Sequence, residues 1–191
     1  ARFAAWGQPA YRLDQLLGWL YGRRASSWDE MTNLPKALRE KLAAEFTLQL
    51  PQLVTRQGSR DTTRKYLWRL ADGALIESVL IPANPALYGE ASDRHTLCIS
   101  TQVGCAYGCR FCASGLEGWK RNLQPHEILG QILAAERAAS AELEAELKAA
   151  GTTQPATAPK APERVVNNIV VMGMGEPLAN LDNLLEALEV A

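Results

Sequence analysis

Apolar residues recur at helical spacing near the start of the chain. Leu13, Leu16, Leu17 and Leu20 fall on one helical face, which Trp19 and Tyr21 broaden. Ser27-Trp-Asp-Glu30 has the form of a capping box, with a hydroxyl at the cap and a carboxylate three residues on. Pro35 suits the first position of a further helix through Leu38, Leu42 and Phe46, where its missing N–H costs nothing. Residues 9–50 therefore read as helical. The period then changes. Lys65–Leu70 and Ala74–Ile81 are strand-like, and Ala71-Asp-Gly73 between them is a hairpin signal. Residues 82–93 read as a loop and His95–Val103 as one strand. The Ala-, Leu- and Glu-rich run over 125–150 predicts a long helix whose second half, from Ala138, is a solvated face. Residues 151–162 carry three prolines and read as a connection. Val165–Met172 predicts a short strand broken by Asn167-Asn168, followed by Gly173-Met-Gly-Glu-Pro-Leu178. Strand, loop, helix, strand, loop, helix is the order of parallel βα units, in which chemistry sits on the loops after the strands.

Bulk properties narrow the classes. The 191 residues suffice for one medium domain or a small one plus part of a larger, and 47% hydrophobic content can form a core. A net charge of −1 gives no global field for nucleic acid or membrane, so RNA binding would need local patches. No apolar run approaches the roughly 20 residues that span a bilayer. All four cysteines lie between positions 98 and 112, unlike a disulfide framework, and point to a reducing, cytoplasmic setting. The chain starts at Ala1 without methionine and stops within the amphipathic pattern Leu181–Ala191 with no cap signal, so it reads as a fragment.

The candidate chemistry lies in Cys105, Cys109 and Cys112, a CxxxCxxC array on one short loop. A closed structural zinc site needs four protein ligands. Cys98 could complete such a set, although its spacing to Cys105 is wide for a zinc knuckle. Three thiolates can instead hold three irons of a 4Fe–4S cluster and leave the fourth open to a substrate. The spacing favours iron–sulfur over zinc or unliganded thiols. A second constellation, Gly173-Met-Gly-Glu-Pro177, would sit at its strand's C-terminal end, on the side of the cysteine loop. There glycines allow close backbone approach, and Glu176 can accept hydrogen bonds from an ammonium group. His95 and His126 lack a partner pattern and read as structural.

Gln102-Val-Gly-Cys105, Cys109, Phe111, Cys112 and Arg121-Asn-Leu123 together resemble the RlmN/Cfr family of radical S-adenosylmethionine (SAM) RNA methyltransferases. Ile76-Glu-Ser-Val-Leu-Ile-Pro82, Gly173–Leu178 and Trp28-Asp-Glu-Met-Thr32 extend the likeness, whereas nothing carries over between 138 and 164. The resemblance implies an α/β fold: the N-terminal half of a partial (β/α) barrel, preceded by a small helical module and a β-hairpin. Its divisions would be 1–50, 51–93 and 94–191. It implies Cys105, Cys109 and Cys112 as ligands of a 4Fe–4S cluster, Gly175 and Glu176 as SAM contacts, and Phe111 beside the SAM adenine. It also implies Glu77 as a proton acceptor and Cys98 as the thiol that resolves a covalent RNA–protein adduct.

The implied reaction methylates C2 of adenosine in 23S ribosomal RNA, and in tRNA, through a methyl-cysteine intermediate. An electron donor such as flavodoxin would feed the cluster of a monomeric enzyme. C8 methylation, another radical SAM family and a zinc-binding RNA module are the alternatives. No cysteine follows Cys112, so the methyl-carrying cysteine is expected beyond residue 191 and the piece alone is expected to be inactive. Lys120, Arg121, Arg23, Arg24, Arg64 and Lys65 are candidates for RNA phosphate contact, against the plainer reading of a solvated face.

Overall fold

The structure, a computed structural model, describes residues 2–59, 63–83, 94–149 and 164–191. Residues 2–49 belong to one compact unit, and residues 50–145 with 164–191 form another. Of the loop expected over 82–93, Pro82 ends a strand and residues 84–93 lie outside the described residues, as does the connection expected over 151–162.

In the first unit, helix α1 spans Arg2–Ala5 and α2 spans Tyr11–Leu17, running on as a π-helical turn over Gly18–Gly22. A 3-10 turn covers Trp28–Glu30, and α3 spans Lys36–Glu45. Leu16, Ala25, Met31, Leu34, Leu38 and Leu42 form the core, with Trp19, Leu20 and Trp28 packed against it. Leu13 and Leu17 stay exposed, so only the Leu16 edge of the expected face is buried. Pro35 stands one residue before its helix: its extended ψ of 142° makes it the cap, and its carbonyl accepts the Leu38 and Arg39 N–H groups. The capping box is also shifted. Glu30 accepts from the Ser26 N–H and hydroxyl, while Ser27 makes no side-chain cap.

The second unit is built on a five-stranded sheet whose strands neighbour one another in chain order. Its strands are β1 (Gln52–Gly58), β2 (Arg64–Arg69), β3 (Leu75–Pro82), β4 (His95–Cys98) and β7 (Asn168–Val170). The fold is mixed α/β, but three of the four pairings are antiparallel and only β4–β7 is parallel. The parallel βα relation expected of the core holds for that one pair, and the sheet as a whole is mostly antiparallel. The β2–β3 hairpin forms as expected, with Arg64 opposite Leu80 and Arg69 opposite Leu75. Gly73, at φ +84°, and Asp72, which accepts the Ala74 N–H, close its turn.

Alternation along β3 turns Ile76, Ser78 and Leu80 inward and leaves Leu75, Glu77 and Val79 toward the other face. Helix α4 (Pro125–Ala149) contributes Ile128, Ile132, Ala135 and Ala139 to the core; α5 (Leu181–Leu188) adds Leu184 and Ala187. Beyond Ser140 the side of α4 is largely exposed, as its composition predicts. Glu142 is held there by Arg56 and Arg64. Among the described residues no helix is long and apolar enough to cross a membrane.

Three local departures shape the site. The strand expected over His95–Val103 breaks after Cys98, because the Gln131 side chain takes both the Ser100 N–H (2.9 Å) and the Ser100 carbonyl (2.7 Å). The chain resumes as β5 (Gln102–Gly104), which pairs antiparallel with an unexpected β6 (Trp119–Asn122) in a separate two-stranded sheet. The Asn167-Asn168 pair does not interrupt β7 but opens it. Asn168 lies opposite Thr96, and the Asn167 side chain accepts the His95 N–H. Buried Glu136 fixes the approach by accepting the N–H groups of Val165 and Val166.

Candidate active site

The cysteines lie on the loop joining β5 to β6. Its ends meet at Gly104, whose φ of +73° and lack of a Cβ let the Gly118 carbonyl approach; a Cβ there would be 2.0 Å from that oxygen. Gly115 likewise passes the Tyr107 carbonyl at a distance that no Cβ permits. Cys105 and Cys112 are half-buried, Cys109 is exposed, and all four cysteines are free. Cys105 Sγ accepts the Tyr107 N–H at 3.4 Å. The N–H and hydroxyl of Ser114 hold the Cys112 thiol below the usual range. Phe111 is 93% exposed.

Among the described residues, no three His, Cys, Asp or Glu side chains are gathered to hold a metal ion, so neither the three-thiolate nor the four-thiolate arrangement is preformed. The donor chemistry does fit an iron–sulfur cluster. Three thiols share one loop, and backbone N–H groups already point at two of the sulfurs.

The Gly173–Leu178 turn sits beside this loop. Gly173 N–H donates to Ile99 O, and the Met174 carbonyl accepts from Thr101 and Gln102. Gly175 has φ +104°, and a Cβ there would lie 2.7 Å from the Gln102 nitrogen. Glu176 is half-buried; its Oε1 accepts the Leu178 N–H and caps the short helical turn Pro177–Asn180. The turn follows β7 directly, whereas the cysteine loop comes after β4 with the short β5 between them, so each lies downstream of one strand of the parallel β4–β7 pair.

A cavity of about 750 Å³ opens between the hairpin and the cysteine loop, lined by Leu67, Gly73, Glu77, Gly104, Ser114 and Met174 among others. Glu77 stands on its wall, ion-paired to Lys65 at 2.7 Å. Cys98 is not a lining residue. It pairs with Val79, however, so it shares a sheet face with Glu77 at the neighbouring diagonal position. Burial pushes the Cys98 thiol up, opposed by a hydrogen bond with the Met172 backbone.

The basic residues considered for RNA are engaged within the chain. Arg23 stacks on Trp19, Arg24 is buried, Arg64 meets Glu142, Lys65 meets Glu77 and Lys120 meets Glu117. Arg121 is clamped between Asp72 of the hairpin turn and Glu127 of α4, both at 2.7 Å. This grip makes Arg121 a brace between the hairpin turn and α4. Burial acts upward on the Glu127 carboxyl, but hydrogen bonds from Arg121 and the Gln124 N–H outweigh it and lower the net value.

A carboxylate lowered in the folded state stabilises above its unfolded pKa, here 4.5, and loses that contribution as pH falls through the folded value. Arg121→Met should therefore cost about 2 kcal/mol at pH 7, mostly through Glu127, since solvent screens the half-exposed Asp72. Urea unfolding should show the gap between the two proteins closing below about pH 4.5.

Sequence reasoning missed the buried polar residues that organise the site: Ser100, Gln102, Gln131 and Asn180. The available signal was the polar run Ser100-Thr-Gln102 inside an otherwise apolar strand pattern. Asn180 donates to the carbonyls of Thr101 and Leu123, tying the end of the turn to both edges of the loop.

Residues 1–48 match the family model described as the ribosomal RNA large subunit methyltransferase N-terminal domain. A probable dual-specificity RNA methyltransferase RlmN of Akkermansia muciniphila is 48% identical over 184 residues, 96% of this chain and 45% of that protein. The chain is a relative of the RlmN proteins. A probable dual-specificity RNA methyltransferase RlmN 3 of Opitutus terrae is 47% identical, covering 100% of this chain and 47% of its own length. Among solved structures, a radical SAM methyltransferase from Sphaerobacter thermophilus superposes with a TM-score of 0.75 at 38% identity, over 99% of this chain and 48% of that one. The chain therefore spans about half the length of these relatives.

Proposed function

We propose that this chain supplies the cluster loop and the SAM-binding turn of a radical SAM methyltransferase acting on C2 of adenosine in 23S ribosomal RNA and in tRNA. One observation carries the reading: Ala106 of the three-cysteine loop and Glu176 of the Gly173–Glu176 turn donate their N–H groups to the same oxygen, that of the Gln102 side chain. The likeness to the RlmN relatives and to the radical SAM methyltransferase supports it.

In this reading Cys105, Cys109 and Cys112 hold a 4Fe–4S cluster, and the chemistry it supplies is one-electron cleavage of SAM. Gly175 and Glu176 receive the SAM amino group, and Phe111 covers the adenine. Glu77 takes a proton from the modified base. Cys98 attacks the sulfur of a methyl-derived cysteine outside this chain: the S–CH₂ bond breaks, an S–S bond forms, and the carbon leaves with the electron pair and gains a proton. Strands β4 and β7 with α4 between them begin a partial (β/α) barrel. Residues 1–50 serve as an accessory module, 51–93 as hairpin and linker, and 94–191 as the first part of the core. The enzyme works as a cytoplasmic monomer with an electron donor such as flavodoxin.

The test is mass-spectrometric mapping of the methyl group after the complete, reconstituted polypeptide acts on 23S ribosomal RNA fragments and tRNA. A methyl at C2 of adenosine is expected. A methyl at C8 would overturn the assigned position, and no RNA methylation by cluster-loaded protein would overturn the activity.

A further inference from the structure

Gln102 is completely buried although its side chain is polar. Its carbonyl oxygen accepts two backbone N–H groups from opposite sides of the site. One comes from Ala106, the residue after the first cysteine of the array, at 3.0 Å. The other comes from Glu176, in the Gly-Glu turn, at 2.9 Å. The amide nitrogen donates to Asn122 Oδ1 at 2.8 Å, which fixes the direction the oxygen faces. Asn122 is itself held, donating to the Ala179 carbonyl beyond the turn. Gly175 lies so close that a Cβ would come within 2.8 Å of Gln102 Cγ. Backbone bonds fix Met174 against Thr101 and Gln102, and this one side chain carries the connection on to Ala106 of the loop and Glu176 of the turn.

We propose that Gln102 is a positioning residue that locks the cysteine loop and the Gly-Glu turn into one fixed spacing. The inference rests on the reading above, in which the loop, through its cluster and Phe111, and the turn, through Gly175 and Glu176, hold one SAM molecule at more than one point. A ligand held at two points pays for any play between them, so loosening the spacing weakens its binding before it alters the loop's own thiols. Gln102→Met keeps the volume and removes the acceptor, leaving both N–H groups unpaired.

The experiment compares wild type with Gln102→Met in the complete polypeptide, using two readouts. In cluster-free protein, hydrogen exchange at the Ala106 and Glu176 amides should quicken about tenfold while β3 amides such as Leu80 stay unchanged. In reconstituted protein, the SAM concentration that half-converts the cluster's electron paramagnetic resonance signal should rise about tenfold at unchanged iron content. Asn122→Ala, which frees the amide to turn, should move both readouts the same way by about threefold. It carries the test should the methionine variant fail to fold. Unchanged exchange at the two amides, or quickening spread equally over β3 with wild-type SAM affinity, would overturn the positioning role. Wild type that binds no SAM would instead sink the proposed function, and the exchange readout would still decide whether Gln102 holds loop and turn together.

Discussion

Gly104→Ala is expected to destabilise the second unit by about 3 kcal/mol or more and to prevent the cysteine loop from closing. Two independent costs combine. The residue holds φ +73°, which an L side chain adopts at a cost of about 1–2 kcal/mol. The new methyl would also lie 2.0 Å from the Gly118 oxygen and 3.1 Å from its carbonyl carbon. These are backbone atoms at the loop's other end, so they cannot swing aside as a flexible side chain would. The loop must open, and the β5–β6 pairing of Gly104 with Trp119 goes with it. Thermal unfolding should shift down by roughly 6–12 °C, and iron uptake on reconstitution should fall with it. Gly108→Ala is the control. It sits in the same loop with open space around its Cβ, so its stability should stay within about 0.5 kcal/mol of wild type. Equal behaviour of the two variants would show that Gly104 does not close the loop.

Cys98→Ala should lower turnover by about a thousandfold or more while an RNA–protein adduct accumulates. The reason is covalent. In the proposed reaction the base is bonded to the protein through an S–CH₂ link, so release needs a second sulfur, and the other three cysteines of this chain are assigned to the cluster. The sheet puts Cys98 on the face shared with Glu77. Burial holds its thiol protonated at neutral pH, so adduct release should quicken as pH rises toward the thiol's raised value. SAM cleavage should persist in the variant. Denaturing gels with labelled RNA would show the trapped species, and normal turnover without a crosslink would remove Cys98 from the reaction.

The parts of this fold that were legible in the sequence are those with a local cause. The β2–β3 hairpin announced itself through Asp72-Gly73 and alternating strands, and α4 through its composition. The cysteine array and the Gly-Glu turn could be placed on the same side because both follow strands. Strand β1 was not legible, since every one of its side chains is exposed and no apolar alternation marks it. Strand β6 is short and polar, and exists because β5 needs a partner. The break after Cys98 comes from Gln131, which is 31 residues away from Ser100. Pattern reading sees neither such non-local hydrogen bonds nor the grip of Asp72 and Glu127 on Arg121, which braces the hairpin turn against α4.

The most direct measurement is made on the complete polypeptide, purified and reconstituted without oxygen: iron, sulfide and zinc content, with electron paramagnetic resonance of the reduced protein before and after adding SAM. About four irons per chain and a signal altered by SAM are the expected result. Stoichiometric zinc with no response to SAM would contradict the radical enzyme and leave a zinc-stabilised binding module in its place.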